Sequence, residues 1–259
     1  MSRKKANKRK AAARRASERP ERQQDPRLVA TLASSMGGEP LPPGTWVHVV
    51  SPVRLDDGNV LMWYPPQPVA FNLVEANRFR GRGVKRRRAI MAQLRRRDDG
   101  GLGPQNSRAV IDSLSDLSAA VLFGFTAIES LANHMIEMLD DDATITSKST
   151  TIPKSEMVRI GIDDKLKTVP VKLDGGRRIA GTATWQRYLR LKNLRDELLH
   201  VKRRGYEPDP DDRTAYDRLI VGEADSCVED AVATIEGAWP GFLPSHVVEA
   251  LNGSPAPSG

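Results

Sequence analysis

The sequence predicts a mainly α-helical protein, with a small β-hairpin region and a disordered basic tail before the helices. Two long segments, residues 107–139 and 184–203, repeat apolar side chains at intervals of three and four, the spacing of one helix face. Between residues 45 and 65, two short segments rich in β-branched and aromatic residues flank a turn sequence. The first 22 residues contain ten lysines or arginines and no large apolar residue after Met1.

The basic tail, residues 1–26, is expected to be disordered because it lacks the apolar side chains that a core needs. Its ten basic residues are offset by only two glutamates in residues 1–22, so the tail accounts for the net charge of +7. Such a tail binds nucleic-acid phosphates through counterion release, with little sequence preference. A leader that only increases solubility is an equally good interpretation.

A β-hairpin is predicted within residues 27–103, the small mixed region between the tail and the long helices. The segments TWVHVVSP and NVLMWYP have strand-forming compositions, and the DDGN sequence at residues 56–59 between them is a turn signal. Prolines at positions 65, 66 and 68 end the second strand, so a larger sheet is not expected here.

The second half of this region carries a basic cluster that is predicted to be partly helical. Ten lysines or arginines lie between Arg78 and Arg97. Folded near a cleft, they would guide nucleic acid into it. The commoner alternative is a solvated helix face whose acidic partners come from neighbouring segments. The residues predicted to contact nucleic acid are Arg86, Arg87, Arg88, Lys202 and Arg203.

The segment at residues 107–139 is predicted to be an amphipathic helix of about nine turns. Asn106 or Ser107 is a suitable N-cap, and three aspartates at 140–142 disfavour continuation of the helix. The apolar stripe requires a partner to cover it. The stripe consists of Leu114, Leu117, Val121, Phe125, Ile128, Leu131, Met135 and Met138.

Near the end of the second predicted helix lie the candidate catalytic residues Arg195, Asp196 and His200. Asp196 and His200 are four apart and share a helix face, so the carboxylate can accept a hydrogen bond from the ring and select its tautomer. Arg195 lies on a flank, from which its planar, permanently charged guanidinium can reach a phosphate. The alternative is structural, because cations in the last helical turn stabilise a helix by about 0.3–1 kcal/mol each.

The remaining segments are expected to be less regular. Residues 143–184 are a polar insert with one short helix ending near Val169 and a glycine turn at 175–176. A closing helix is expected at about 223–239, and residues 246–259 are expected to form a flexible C-terminus. The helical domain is thus placed at residues 104–245.

The sequence FGFTAIESLANHMI in the first long helix, the insert, and LRDELLHVK in the second resemble the HEPN family of helical ribonucleases and nucleotide-binding proteins. The resemblance covers about residues 107–240 and implies a HEPN-like antiparallel helical bundle. The hallmark of that family is an arginine, usually followed by a polar residue, and then a histidine after a short spacer. Arg195, Asp196 and His200 match this hallmark with its shortest spacing.

The resemblance also implies roles for these residues in metal-independent cleavage of RNA to a 2′,3′-cyclic phosphate and a 5′-hydroxyl. His200 would be the acid or base, and Arg195 would stabilise charge on the phosphate. Asp196 would orient one of them, and Glu129 would be an accessory residue that pairs with Arg195 across the bundle. Asparagine is common in the family where Asp196 stands, and a carboxylate repels RNA unless it is paired.

The partners implied by the resemblance are RNA, a second copy in a homodimer whose two motifs line one cleft, and, for a toxin or phage-defence protein, an antitoxin or inhibitor. The alternative is a non-catalytic HEPN-like module that binds nucleic acid or protein through its basic segments. This alternative stays open because fold does not determine function, and members of the family have lost the motif.

Several classes of site have no support in the sequence. The single cysteine, Cys227, excludes an intramolecular disulfide and a thiolate metal cluster within one chain. His48 and His246 lack partners at metal-ligand spacing, and no phosphate-binding loop or dinucleotide turn occurs, so no metal or cofactor is expected. No uninterrupted apolar run approaches about 20 residues, and no apolar signal core is present, so a cytoplasmic protein without membrane contact is expected.

Overall fold

The computed structural model describes residues 31–32, 35–36, 39–40, 46–47, 51–63, 66–96, 101–200 and 213–253. These residues are mainly helical, as predicted, and a short 3-10 turn at Pro170–Lys172 follows the fourth helix. The helices are α1 (Pro68–Ala92), α2 (Ser107–Glu137), α3 (Lys154–Met157), α4 (Ile162–Thr168), α5 (Ala183–Leu199), α6 (Ala215–Ile220), α7 (Cys227–Ala238) and α8 (Ser245–Gly253). The basic tail, His48, Lys202 and Arg203 lie outside the described residues.

The strands of the described residues form antiparallel pairs of two. They are β1 (Thr31–Leu32) with β4 (Trp46–Val47), β2 (Ser35–Met36) with β3 (Glu39–Pro40), β5 (Ser51–Arg54) with β6 (Val60–Trp63), β7 (Arg95–Arg96) with β8 (Leu102–Gly103), and β9 (Thr144–Ser147) with β10 (Thr150–Pro153). Strands β5 and β6 confirm a hairpin around the predicted turn, where Gly58 has a φ of +85°. Only Ser51 and Pro52 of the predicted first strand segment pair in this hairpin, because Trp46 and Val47 pair instead with β1.

The hairpin of β9 and β10 lies in the polar insert and was not predicted. Its turn residues, Lys148 and Ser149, both have positive φ, at 48° and 65°. Turns of this kind usually contain Asn or Gly, so the local sequence carried little signal for a hairpin. The helix in the insert was predicted correctly, because α4 ends at Thr168 with Val169 as its C-cap.

Helices α1 and α2 pack against each other in antiparallel orientation. Near the start of α1 the Asn72 amide lies 3.5 Å from the Ser130 hydroxyl, while near its end Arg86 pairs with Asp116. The N-terminal half of α1 also contributes Leu73 to the main core. The core therefore extends across the boundary expected between residues 103 and 104, since α1 precedes that boundary and α2 follows it.

The predicted stripe of α2 forms the centre of the core. Six of its members are buried, whereas Leu114 is half-buried and Met138 is 46% exposed beyond the helix end. The Asn106 side chain caps the helix by accepting from the backbone amide of Ala109 at 3.1 Å, as predicted. The largest fully buried side chains are Tyr188, Phe125, Leu73, Leu117, Ile128, Leu131, Met135, Ile145, Met157, Leu166, Leu191 and Leu219.

Among the described residues, one helix is long and apolar enough to cross a membrane. It is α2, whose most apolar window has a mean hydropathy of 1.4. Half of that window is buried inside the protein, as in a core helix. Counting uninterrupted apolar residues missed this property because polar side chains interrupt the run.

The C-terminal part differs from its sequence prediction in two ways. The closing helix α7 begins at Cys227, because residues 221–226 form turns between α6 and α7. The segment expected to be flexible from residue 246 instead forms α8 through Gly253, with Val247 and Leu251 buried. Apolar residues four apart give this short helix a face that packs on the core.

The close approach of α1 and α2 depends on Gly83. A Cβ at this position would lie 2.7 Å from Cγ of Leu117, whereas a Cβ at Gly81, in the same helix, would meet nothing within 4 Å. Gly83→Ala is therefore expected to lower the free energy of unfolding by about 1–3 kcal/mol through overpacking. Gly81→Ala should instead raise it by up to about 1 kcal/mol, the gain in helix propensity.

Urea denaturation of both variants measures this difference. Because both substitutions gain the same helix propensity, the difference between them isolates the contact with Leu117. Equal stabilities for the two variants would contradict the close packing of the two helices at Gly83.

Candidate functional site

Arg195 is the most fully positioned of the predicted site residues. Its guanidinium carbon lies 4.8 Å from the centre of the buried Phe125 ring. One terminal nitrogen lies 3.5 Å from the Glu129 carboxylate on α2, and the other donates to Asp196 at 2.8 Å. The predicted contact between Glu129 and Arg195 is thus present. The Arg195 side chain remains 27% exposed, so the guanidinium is fixed at the surface.

Of the two partners expected for Asp196, the structure shows Arg195. Its carboxylate accepts from Arg195, whereas the described contact with His200 is through the backbone, where the His200 amide donates to the Asp196 carbonyl at 2.9 Å. The adjacent guanidinium is a permanently charged donor, and a charge-assisted hydrogen bond to a carboxylate is among the stronger ones in proteins.

His200 is the C-cap of α5, and its side chain is exposed. Helix geometry starts the Arg195 and His200 side chains about 140° apart around the axis, since each residue turns the helix by about 100°. The two groups therefore leave the helix in different directions. The described side-chain contacts, with Phe125, Glu129 and Asp196, are those of Arg195. The predicted helix extended to residue 203, but α5 ends at Leu199 and residues 201–212 lie outside the described part.

A second polar cluster next to Arg195 was not predicted. Asp163, at the start of α4, accepts a hydrogen bond from the Tyr188 hydroxyl and another from the Lys192 amine at 2.8 Å. Burial raises the pKa of Asp163, but the hydrogen bonds from Lys192 and Tyr188 outweigh it and hold that pKa below its usual value. Burial and the Asp163 carboxylate raise the pKa of Tyr188 far above its usual range, so the phenol stays protonated.

Lys165, also on α4, is buried and adds a third cation to this region. Its amine donates to the Asn133 amide oxygen and to the Val158 carbonyl, both at 2.8 Å. Burial lowers the pKa of Lys165, and the nearby Glu129 carboxylate opposes that shift. In the sequence, Tyr188 and Lys192 were visible as neighbours four apart on one helix, but nothing local placed Asp163 or Lys165 beside them.

The three arginines of α1 that were predicted to contact nucleic acid differ in burial and in their partners. Arg87 is only 13% exposed and makes two hydrogen bonds to Asp225, at 2.8 and 2.5 Å. Arg86 pairs with the buried Asp116, while Arg88 is exposed. Arg87 is therefore a structural residue, because a phosphate would have to displace Asp225. For Arg86 and Arg87 the acids do come from neighbouring segments, as the alternative interpretation stated.

Within the described ranges, no group of three or more His, Cys, Asp or Glu side chains is arranged to hold a metal ion. Cys227 is buried, and burial raises the pKa of its thiol to about 12. The thiol therefore remains protonated at neutral pH and functions as a small core side chain.

Comparison with known proteins found no matching protein-family model, no similar curated protein and no similar solved structure.

Proposed function

We propose that the chain is a metal-independent endoribonuclease in which His200 transfers protons and Arg195 binds the scissile phosphate. The observation that carries the proposal is a fixed, partly exposed guanidinium five residues before an exposed imidazole at a helix end. Phe125, Glu129 and Asp196 hold Arg195, so little side-chain freedom is lost when it meets a phosphate. Imidazole is the side chain suited to proton transfer near neutral pH.

The chemistry that this pair performs is transfer of the phosphoryl group within the RNA strand. The imidazole takes the proton of a ribose 2′-hydroxyl, and the 2′-oxygen attacks the adjacent phosphorus. The bond to the 5′-oxygen breaks, and an imidazolium returns a proton to that oxygen. A guanidinium stabilises the negative charge on the non-bridging oxygens. The products are a 2′,3′-cyclic phosphate and a 5′-hydroxyl.

One feature of the site favours a second candidate, a nucleic-acid-binding or protein-binding module without catalysis. Arg195 faces two carboxylates, Glu129 and Asp196, whose combined charge exceeds its own. A phosphate must displace one of them. The two side chains are similarly exposed, at 38% for Glu129 and 40% for Asp196, and the Asp196 carboxylate is the nearer to Arg195, at 2.8 Å against 3.5 Å. Asp196→Asn removes this competing charge without a change of shape.

The direct test is cleavage of single-stranded RNA by the full chain in the presence of EDTA. His200→Ala should reduce the cleavage rate by about 10²- to 10⁴-fold, the usual contribution of a general acid or base. Because the His200 side chain is exposed, the variant should fold like the wild type, and a thermal melt checks this. Arg187→Ala, an exposed arginine on the same helix, is the control and should cleave normally.

Three further results separate the two candidates. Asp196→Asn should cleave at least as fast as the wild type if Asp196 competes with the phosphate. The RNA ends should be a cyclic phosphate and a 5′-hydroxyl. Cleavage that survives both His200→Ala and Arg195→Ala would reject the nuclease and leave the binding module.

Arg195 and His200 of one copy leave α5 in different directions, so the proposal includes a homodimer, in which a second copy would place two of these motifs in one cleft. It also includes a cellular role as a toxin or defence protein with an inhibitor. Light scattering should give twice the mass of the chain. Expression of the wild type should inhibit growth, and expression of His200→Ala should not.

A further inference from the structure

We infer that the end of the α1–α2 pair is a separate anchoring surface for the RNA backbone, the basic tip, formed by Arg88, Arg95, Arg96 and Arg108. This inference rests on the proposed function for the identity of its ligand. It concerns residues remote from Arg195 and His200, and it is tested by binding and not by cleavage.

The arginines of α1 and of the basic tip fall into two classes. Those from Arg80 to Arg87, along the middle of α1, are each matched to an acid of another segment. The matched pairs are Arg80 with Glu229, Arg82 and Arg86 with Asp116, and Arg87 with Asp225. The four arginines of the basic tip are exposed and form no ion pair within the described part of the chain. Ion pairs that stabilise the fold account for the arginines of the first class, but not for those of the second.

The antiparallel packing of α1 and α2 brings these four residues to one end of the α1–α2 pair. Arg88 lies in the last two turns of α1, and Arg108 lies in the first turn of α2. Between them, β7 carries Arg95 and Arg96 and pairs with β8. The Gln105 amide donates to the Gln93 carbonyl at 3.2 Å and ties this connection to the end of α1. The four arginines of the tip therefore lie on regular backbone, in α1, β7 and α2.

The charge at the tip is poorly compensated. Arg108 lies at the positive end of the α2 dipole, and the first turn of α2 contains no acidic residue. From Arg88 to Arg108 the sequence has five basic residues and only two acidic ones. A bound polyanion would offset this repulsion.

The arrangement fits a chain of phosphates better than a single small anion. The four guanidinium groups arise from three successive segments and are exposed, so they do not converge on one enclosed site. Exposed arginines that contact successive phosphates without reading bases are typical of backbone anchoring. The chemistry recognised is thus a phosphodiester backbone, with little dependence on base sequence.

The tip lies at a distance from the proposed catalytic residues. Glu129, which contacts Arg195, is 21 residues beyond Arg108 on the same helix, a rise of about 30 Å. A trinucleotide, about 10 Å long at the 3.4 Å spacing of a stacked strand, cannot reach both places. A 20-nucleotide strand can.

The experiment compares two variants of the full chain that lose the same charge, both built on His200→Ala so that the RNA stays intact. One replaces the four tip arginines by glutamine. The control replaces four other exposed arginines by glutamine: Arg159, Arg177, Arg178 and Arg187. Binding of a fluorescent 20-nucleotide RNA and of a trinucleotide is measured over a range of salt concentrations. The basic tail is present in both variants, so its contribution cancels.

The tip variant should bind the 20-nucleotide RNA at least about tenfold more weakly than the control, with a salt slope smaller by about 3, as expected for four lost phosphate contacts on a single strand. The trinucleotide should bind both variants equally. Equal slopes for the two variants would overturn the inference. So would tip-dependent binding to phosphatidylserine vesicles without any tip-dependent binding to RNA, which would identify a membrane surface instead. Failure of the nuclease alone would leave the RNA-binding result unchanged, because cleavage is not measured.

Discussion

Replacing Phe125 by alanine is expected to lower the free energy of unfolding by about 3–5 kcal/mol, the loss typical of a large aromatic side chain removed from a core. Phe125 is 1% exposed, and its ring lies 6.1 Å from that of Tyr188. The same ring supports the guanidinium of Arg195. The substitution should therefore destabilise the core and also free Arg195 from its position, because the contact with the π face disappears.

Chemical denaturation of Phe125→Ala measures the first effect, and RNA cleavage well below its melting temperature measures the second. Phe125→Leu keeps most of the apolar volume and should lose less stability, but it also removes the aromatic face beneath Arg195. Thr126→Ala, at the exposed neighbouring position, is the control and should stay within about 0.5 kcal/mol of the wild type. A loss below about 1 kcal/mol for Phe125→Ala would contradict a closely packed core at this position.

Asp163→Ala is expected to lower the free energy of unfolding by about 2–3 kcal/mol at pH 7, because a buried hydroxyl left without a partner costs about 1–3 kcal/mol. The buried hydroxyl is that of Tyr188, and Lys192 loses its acceptor at the same time. Tyr188→Phe removes the hydroxyl but leaves the contact between Asp163 and Lys192, so it should lose less stability than Asp163→Ala.

The effect of Asp163→Ala should depend on pH. The pKa of Asp163 is lower in the folded protein than its usual value of 3.8. A group of this kind stabilises the fold fully above the unfolded-state pKa, and its contribution disappears as the pH falls through the folded-state pKa. The difference in unfolding free energy between wild type and Asp163→Ala should therefore be constant from pH 7 to pH 5 and shrink below about pH 4. Urea titrations at pH 7 and pH 3 test this expectation, which an unchanged difference would contradict.

Much of the helical architecture was predictable because its signals are local. The cap at Asn106 and the repeated apolar positions of α2 lie within a few residues of one another in the chain, and both predictions were confirmed. Helix α8 was missed because its apolar face is only two turns long. The hairpin of β9 and β10 was missed because its two turn positions, which have positive φ, are occupied by Lys148 and Ser149 and not by the Asn or Gly usual in such turns.

The candidate site was less predictable from the sequence. The contact between Glu129 and Arg195 was expected because both positions border apolar stripes that face each other. For the Asp196 carboxylate the sequence left two partners open, Arg195 and His200, and the structure shows the pairing with Arg195. Asp163, which binds Tyr188 and Lys192 from another helix, had no local signal at all.

By itself the sequence determined the two long helices α2 and α5, the hairpin around Gly58, and the existence of many arginines in α1 and at its end. Only the tertiary structure decided which arginines are used internally, because an ion pair depends on the acids that other helices bring within about 4 Å. Packing of α1 against α2, α7 and the turns that precede α7 matched Arg80, Arg82, Arg86 and Arg87 to acids, and left Arg88 exposed beyond them. Periodicity is a property of neighbouring residues, whereas charge compensation is a property of contacts between distant ones.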